Sequence, residues 1–232
     1  MYHKVVAGGN DSLTITPEKL IEQWSFLKSE GYQALHLQDF LNILSGSAPL
    51  PPKCFLLTFD DGYRNNYEVV YPLLQQFGFK ATFFIISEVL GPVAQQVYHE
   101  GGNKMNLEEL VKLDPDTVQL ALHGHHHEHF DQLNIDEITD VMQKSIYAFK
   151  ASGLPFFKVL AYPYGARPAG EVSGQMKHWM AENGIAAAFR IGNQVCKIPA
   201  TDKYELKRID IKGTDELADF KIKLRKGKLK PF

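Results

Sequence analysis

Residues 54–86 read CFLLTFDDGYRNNYEVVYPLLQQFGFKATFFII. Two compact apolar runs, CFLLTF and ATFFII, flank NNYEVVYPLLQQFG, whose apolar residues recur at helical spacing and which ends in glycine. Apolar strands on either side of a helix read as a parallel βαβ unit, because the strands of a parallel sheet are covered on both faces. Pro72 falls near the middle of the helical run and predicts a broken turn there.

The same alternation continues in both directions. Upstream, MYHKVV reads as a strand and TPEKLIEQWSFLKSEG as a helix, with Thr16 as N-cap, Pro17 at the first position and Gly31 as terminator. QALHL and DFLNILSG follow as a short strand and a short helix. Downstream, GPVAQQVYHEGGNK is irregular, LEELVKL a short helix and VQLALH a strand. Asn134 caps a long helix to Ser152, with Glu137 completing a capping box. FKVLAYP, AGEVSGQMKHWMAENG, AAAFRI and KRIDIK read as strand, helix, strand, strand, before a final amphipathic helix around ELADFKIKLRK. Six or more such units predict an α/β barrel or a doubly wound sheet, built as one domain over residues 1–232.

Both architectures gather function at the carboxyl ends of strands. Four polar clusters follow predicted strands: Tyr2-His3, Asp60-Asp61-Gly62, the run HGHHHEH at 123–129, and YPYGARP at 162–168. Neighbouring side chains on a strand point opposite ways, so both acids reach one site only if the chain turns, which Gly62 eases. Five of the nine histidines lie in the run, and imidazole suits zinc, cobalt, nickel or iron. Two histidines and one carboxylate would leave open positions on such an ion. Residue type alone leaves open which histidines bind. Arg190, inside the apolar AAAFRI, needs a partner and is a candidate for pairing with a site carboxylate. His36, His99 and His178 read as structural, and Trp24 and Trp179 as core residues of helices.

Composition excludes several classes. With 44% hydrophobic and 22% charged residues the chain is globular rather than disordered. A net charge of -2 gives no general affinity for nucleic acid, and the basic KIKLRKGKLKPF at 221–232 reads as a solvated last helix and tail. No apolar run approaches a membrane span, and the start lacks a basic-then-apolar leader, which points to the cytoplasm, or to the cell envelope if a leader has been removed. Cys54 and Cys196 are too few for a disulfide framework and are expected to be buried thiols. Nothing in the sequence sets the oligomeric state.

Taken in order, TFDDG at 58–62, HGHHH at 123–127 and YPYG at 162–165 resemble the polysaccharide deacetylases of the NodB-homology type, carbohydrate esterase family 4. The resemblance runs from Tyr2 to about Ile211 and implies a distorted (β/α) barrel of about seven units. The family's second motif, H-S/T-x-x-H, is met with Gly124 at the Ser/Thr position. By position the resemblance implies Asp60 as general base and Asp61, His123 and His127 as ligands of a divalent metal, zinc by preference. The pair His125 and His129, at the same spacing, is the alternative register. The third motif, R-x-P-Y/F-G, reads Ala161-Tyr162-Pro163-Tyr164-Gly165 and lacks its arginine, for which Arg190 or Arg167 is the expected substitute. The Tyr164 backbone N–H is implied as an oxyanion donor. The N-terminal Tyr2-His3 is similar to that of a circularly permuted branch, the poly-N-acetylglucosamine deacetylases, which implies His3 as general acid. The expected reaction is removal of N-acetyl groups from an N-acetylated carbohydrate. A carbohydrate-binding pseudoenzyme, favoured by the missing arginine, and a different metal-dependent hydrolase or iron oxygenase are the alternatives.

Overall fold

The computed structural model describes residues 1–91 and 103–229, so most of the irregular stretch 91–104, with His99, lies outside the described residues. The chain opens with a short parallel pair, β1 (Lys4–Val5) and β2 (Thr14–Ile15). Helix α1 (Pro17–Ser29) is capped by the Thr16 side chain and carries proline in its first turn. A second parallel pair, β3 (Gln33–Ala34) and β4 (Cys54–Phe55), brackets α2 (Leu37–Leu44). The expected single strand CFLLTF is therefore two: β4 belongs to this pair, whereas β5 (Thr58–Asp60) pairs with β6 (Ala81–Ile85). The chain changes partners at Leu56-Leu57, which no local pattern announces.

Between β5 and β6 the broken helix is observed as a π-helical turn, Asn66–Val70, leading into α3 (Tyr71–Phe77), whose first turn accommodates Pro72. The remaining elements are α4 (Leu107–Val111), β7 (Val118–Leu122), α5 (Ile135–Ser152), β8 (Phe157–Ala161), α6 (Gly170–Glu182), β9 (Ala187–Ile191), β10 (Leu206–Arg208) and α7 (Leu217–Lys226). Helix α5 has the expected capping box, with the Asn134 side chain accepting from Asp136 N and Glu137 N.

Strands β10-β9-β8-β7-β6-β5 form one six-stranded, all-parallel sheet, curled as a partial barrel. Its two edge strands, β5 and β10, are joined through the first residues of the chain. Tyr2 N donates to Thr58 O (2.9 Å) and Asp60 N to Tyr2 O (3.0 Å), while Ile211 N donates to Met1 O (3.1 Å). Met1-Tyr2 thus fills the seam, and the distorted barrel follows.

Strand alternation sorts side chains to two faces. Phe84, Ala121, Val159, Ala161, Phe189 and Leu206 cluster with Leu37 and Phe40 of α2, which plugs the barrel. Gln38 N bonds Gln119 Oε1 near the start of β7, so the plug sits at the amino ends of the strands and leaves the carboxyl ends to polar groups. On the outer face, Phe59, Phe83, Ile85, Leu122 and Leu160 pack under the helices, with Trp24 fully buried and Trp179 partly so. The thiols depart from expectation: Cys54, on the two-residue β4, is half-buried, and Cys196, in the loop after β9, is exposed. No helix among the described residues is long and apolar enough to cross a membrane.

Candidate metal centre and active site

The carboxyl end of β5 delivers Asp60 into the barrel, 2% exposed. Asp61 then takes a left-handed conformation (φ 72°), followed by Gly62 (φ 68°), so the chain turns sharply and both carboxylates face one site. A Cβ on Gly62 would sit 3.0 Å from Ile85 Cδ1, so this turn passes close over β6.

β7 ends in His123, 1% exposed. Its Nδ1 donates to Ala161 O at the end of β8 (2.8 Å), which fixes the ring and turns Nε2 to Asp61 Oδ1 at 3.1 Å. Gly124 follows with φ 76°, where a Cβ would stand 2.7 Å from Glu128 Oε2 and 3.3 Å from Pro163. The left-handed backbone favours glycine here, and any side chain would make the Glu128 carboxylate give way. The Glu128 carboxylate accepts from His125 N and His126 N (3.0 and 2.9 Å) and ties the turn. His127, with φ 64°, swings back so that its Nε2 lies 3.2 Å from the same Asp61 Oδ1.

The five histidines thus separate. Among the described residues, only His123 and His127 meet Asp61 in a three-residue group able to hold a metal ion. His125 Nδ1 contacts Ser87 Oγ (2.9 Å), His126 pairs with Glu88, and His129 stacks on Tyr164 with centroids 3.8 Å apart. The alternative register of His125 and His129 has no carboxylate in common. Asp61 Oδ1 is buried and has no hydrogen-bond partner of proper geometry, although two imidazole nitrogens face it. A buried anionic oxygen left this way fits a cation between the three donors.

Asp60 is held by a residue that sequence reasoning missed. Arg208, on β10, donates from Nη1 to Oδ1 (2.7 Å) and from Nη2 to Oδ2 (2.6 Å), a bidentate pair with both side chains buried. Arg208 Nη1 also reaches Thr58 Oγ1 (3.3 Å), and its guanidinium lies 5.1 Å from the Phe84 ring centre. Arg190 does not take this place. Its neighbour Phe189 faces the interior, so Arg190 points outward and meets Glu205 (2.8 Å), which also receives Arg167 (2.5 Å). The signal that could have chosen Arg208 is parity: in LKR, Leu206 and Arg208 share a face. A second missed residue is Lys104, buried 3.9 Å from Asp61 Oδ2 and 3.4 Å from the Tyr63 ring centre.

The electrostatics follow from these contacts. Burial favours protonated Asp60, but Arg208 and then His123 outweigh it and hold the carboxyl below the usual range. Burial likewise opposes the charge on Asp61, and His123, His127 and Lys104 overcome it, holding Asp61 well below that range. Burial lowers the Lys104 ammonium to about 8 against the pull of Asp61. His3 is lowered by burial, with Asp60, Asp61 and Asp210 opposing, and its Nδ1 has no hydrogen-bond partner. Tyr164 occupies a left-handed turn (φ 58°, ψ 3°) between buried Pro163 and Gly165, at the rim beside His127, with 4.2 Å between ring centres.

The family model for polysaccharide deacetylase matches residues 47–188, more than half of the chain. The chain belongs to the polysaccharide deacetylase family. Among relatives of this chain, the Bacillus subtilis protein YxkH is 36% identical over 91 residues, 39% of this chain and 32% of that protein. The poly-beta-1,6-N-acetyl-D-glucosamine N-deacetylase of Escherichia coli K12 is 37% identical over 71 residues, 31% of this chain and 11% of that protein. The matched stretches therefore span a third or less of these relatives. The Streptococcus pyogenes deacetylase PplD, solved with acetate, superposes with a TM-score of 0.79 over 99% of this chain and 96% of that one, at 20% identity. That likeness shows the NodB-like fold. Against the family's third motif, this chain carries Ala161 where the arginine is expected and places a guanidinium on Asp60 from β10 instead.

Proposed function

We propose that this chain is a metal-dependent hydrolase that removes N-acetyl groups from an N-acetylated glycan or glycan precursor, releasing acetate and a free amino sugar. The observation that carries the reading is the juxtaposition of a bidentately held Asp60 with the group Asp61, His123 and His127 at the carboxyl ends of the strands. Two imidazoles and a carboxylate would hold a divalent ion, zinc by preference, with cobalt, nickel or iron of the same donor chemistry. Such an ion supplies Lewis acidity toward the acetyl carbonyl and lowers the pKa of a water there.

The chain's own groups do the rest. Asp60, kept ionised by Arg208, accepts the proton of the attacking water, and the bidentate clamp fixes its carboxylate in one orientation. His3 donates a proton to the departing amine, without which a C–N bond to an amine does not break readily. The Tyr164 N–H serves the oxyanion. The pseudoenzyme alternative rested on the missing arginine, and Arg208 removes that ground. Support for a glycan amide comes from the family and from the relatives named for poly-β-1,6-N-acetylglucosamine.

The test is mass spectrometry of N-acetylated and O-acetylated oligosaccharides after incubation with zinc-, cobalt- and nickel-loaded protein. Loss of one acetyl unit from an N-acetylated member is expected. Asp60→Asn is expected to cut acetate release by about 10³-fold or more, as loss of a catalytic base does, while bound metal stays within a factor of two. Unchanged activity in that variant would remove Asp60 from its role.

A further inference from the structure

Asn66 is wholly buried, and nothing in the site described above uses it. Its Nδ2 donates to His3 O at 2.8 Å and to Asn65 Oδ1 at 3.3 Å, and Asn65 Oδ1 in turn accepts from Val5 N at 2.9 Å. Two carboxamides thus grip the backbone on both sides of Lys4.

The place of this grip matters. Tyr2 belongs to the barrel seam, where its carbonyl accepts from Asp60 N, and Lys4 belongs to the β1–β2 pair, where its N–H donates to Leu13 O. His3 lies at the switch between these two ladders, and its carbonyl is satisfied by Asn66. A largely enclosed carbonyl without a partner is unfavourable, so this bond fixes where the chain runs. The imidazole has no hydrogen bond at Nδ1 to aim it. Its direction is therefore set by the backbone that Asn66 holds.

Asn66 also stands six residues after Asp60, on the turn that carries both site carboxylates, and it opens the π-helical turn before α3. One short segment, 60–66, thereby positions Asp60 directly and His3 through its backbone.

We propose that Asn66 is a positioning residue that aims the His3 imidazole at the leaving nitrogen. The inference rests on the reading of His3 as general acid. It predicts a dependence on the leaving group, because an amine must be protonated as it departs and an activated phenolate need not be. Asn66→Asp keeps the shape but sets an acceptor against the His3 carbonyl.

The experiment compares turnover of an N-acetylated oligosaccharide with that of 4-nitrophenyl acetate, alongside melting temperature and metal content. For Asn66→Asp, kcat on the amide is expected to fall tenfold or more with KM within twofold, and the aryl ester to lose less than threefold. Asn65→Ala, at a less buried position, is expected to show the same selectivity with at least a threefold loss on the amide, and serves if Asn66→Asp does not fold. Equal losses on both substrates, or none, would overturn the proposal. His3→Asn separates the two readings. If it shows the amide-selective loss and the asparagine variants do not, Asn66 alone loses its role; if it shows none, the acid assignment fails and this inference with it.

Discussion

Arg208 and Arg190 show how one residue's role is decided by strand parity. Both sit in apolar strands near their carboxyl ends, but Arg208 faces the interior and clamps Asp60, whereas Arg190 faces outward to Glu205. Removing the clamp with Arg208→Met takes away the charge that most lowers Asp60, so its carboxyl rises from its depressed value. A base must be ionised to act, so the acid limb of the kcat/KM profile is expected to move to higher pH, with a rate loss of about 10²-fold at the optimum. Arg190→Met is expected to leave kcat within about twofold, since exposed and half-exposed ion pairs contribute little beyond about 1 kcal/mol. A pH–rate series on both variants separates them, and an unmoved acid limb in Arg208→Met would count against the assignment. At this scale the two acids and the histidine run stood out in the sequence, but spacing alone left His123 with His127 and His125 with His129 equal, and the pair facing Asp61 came from the family resemblance. Arg208 and Lys104 were not legible, because their partners lie 148 and 43 residues away in the chain and no local pattern marks which face they occupy.

The helices were legible where capping chemistry is local. Thr16 with Pro17, and Asn134 with Glu137, begin α1 and α5 where the sequence places them. Asn134→Ala removes the acceptor for two backbone N–H groups at the start of α5, and is expected to cost about 1 kcal/mol. For a chain of this size that corresponds to a melting temperature lower by about 2–4 °C, with kcat unchanged, measurable by calorimetry and a single-substrate assay. The strands were less legible. CFLLTF is apolar throughout, so periodicity reads it as one strand, and its division into β4 and β5 is decided by which neighbours each half finds. The histidine loop was intermediate: its positive-φ residues, Gly124 and His127, are what bring two of the five histidines to Asp61, and only the glycine announces itself in sequence.

Across the whole molecule, acid sensitivity should track the carboxylates that the fold keeps charged. Asp60 is depressed despite burial by Arg208, and Asp202 despite its own burial by Lys177 and the Tyr204 N–H. A folded-state pKa below the unfolded one means that the unfolded chain binds more protons between the two. The associated stability is complete above the ordinary carboxylate range of about 4 and is lost as pH falls through the folded values. The melting temperature of metal-free protein is expected to fall already between pH 7 and 5, where the unfolded chain protonates the His3 imidazole and the N-terminal amine that burial holds low, and to drop further below about pH 4; a level curve down to pH 2 would contradict it.

The seam closed by Met1-Tyr2 has a consequence for how this molecule fails. The proposed base, Asp60, and the arginine that orients it stand on the two edge strands of the sheet, and His3 is carried by the segment inserted between them. Under the proposed mechanism, turnover is a strain gauge across one longitudinal joint of the barrel. A gap of an ångström at that joint separates Arg208 from Asp60 and displaces His3 while every helix keeps its turns, so in rising denaturant catalytic silence comes before any loss of helical signal.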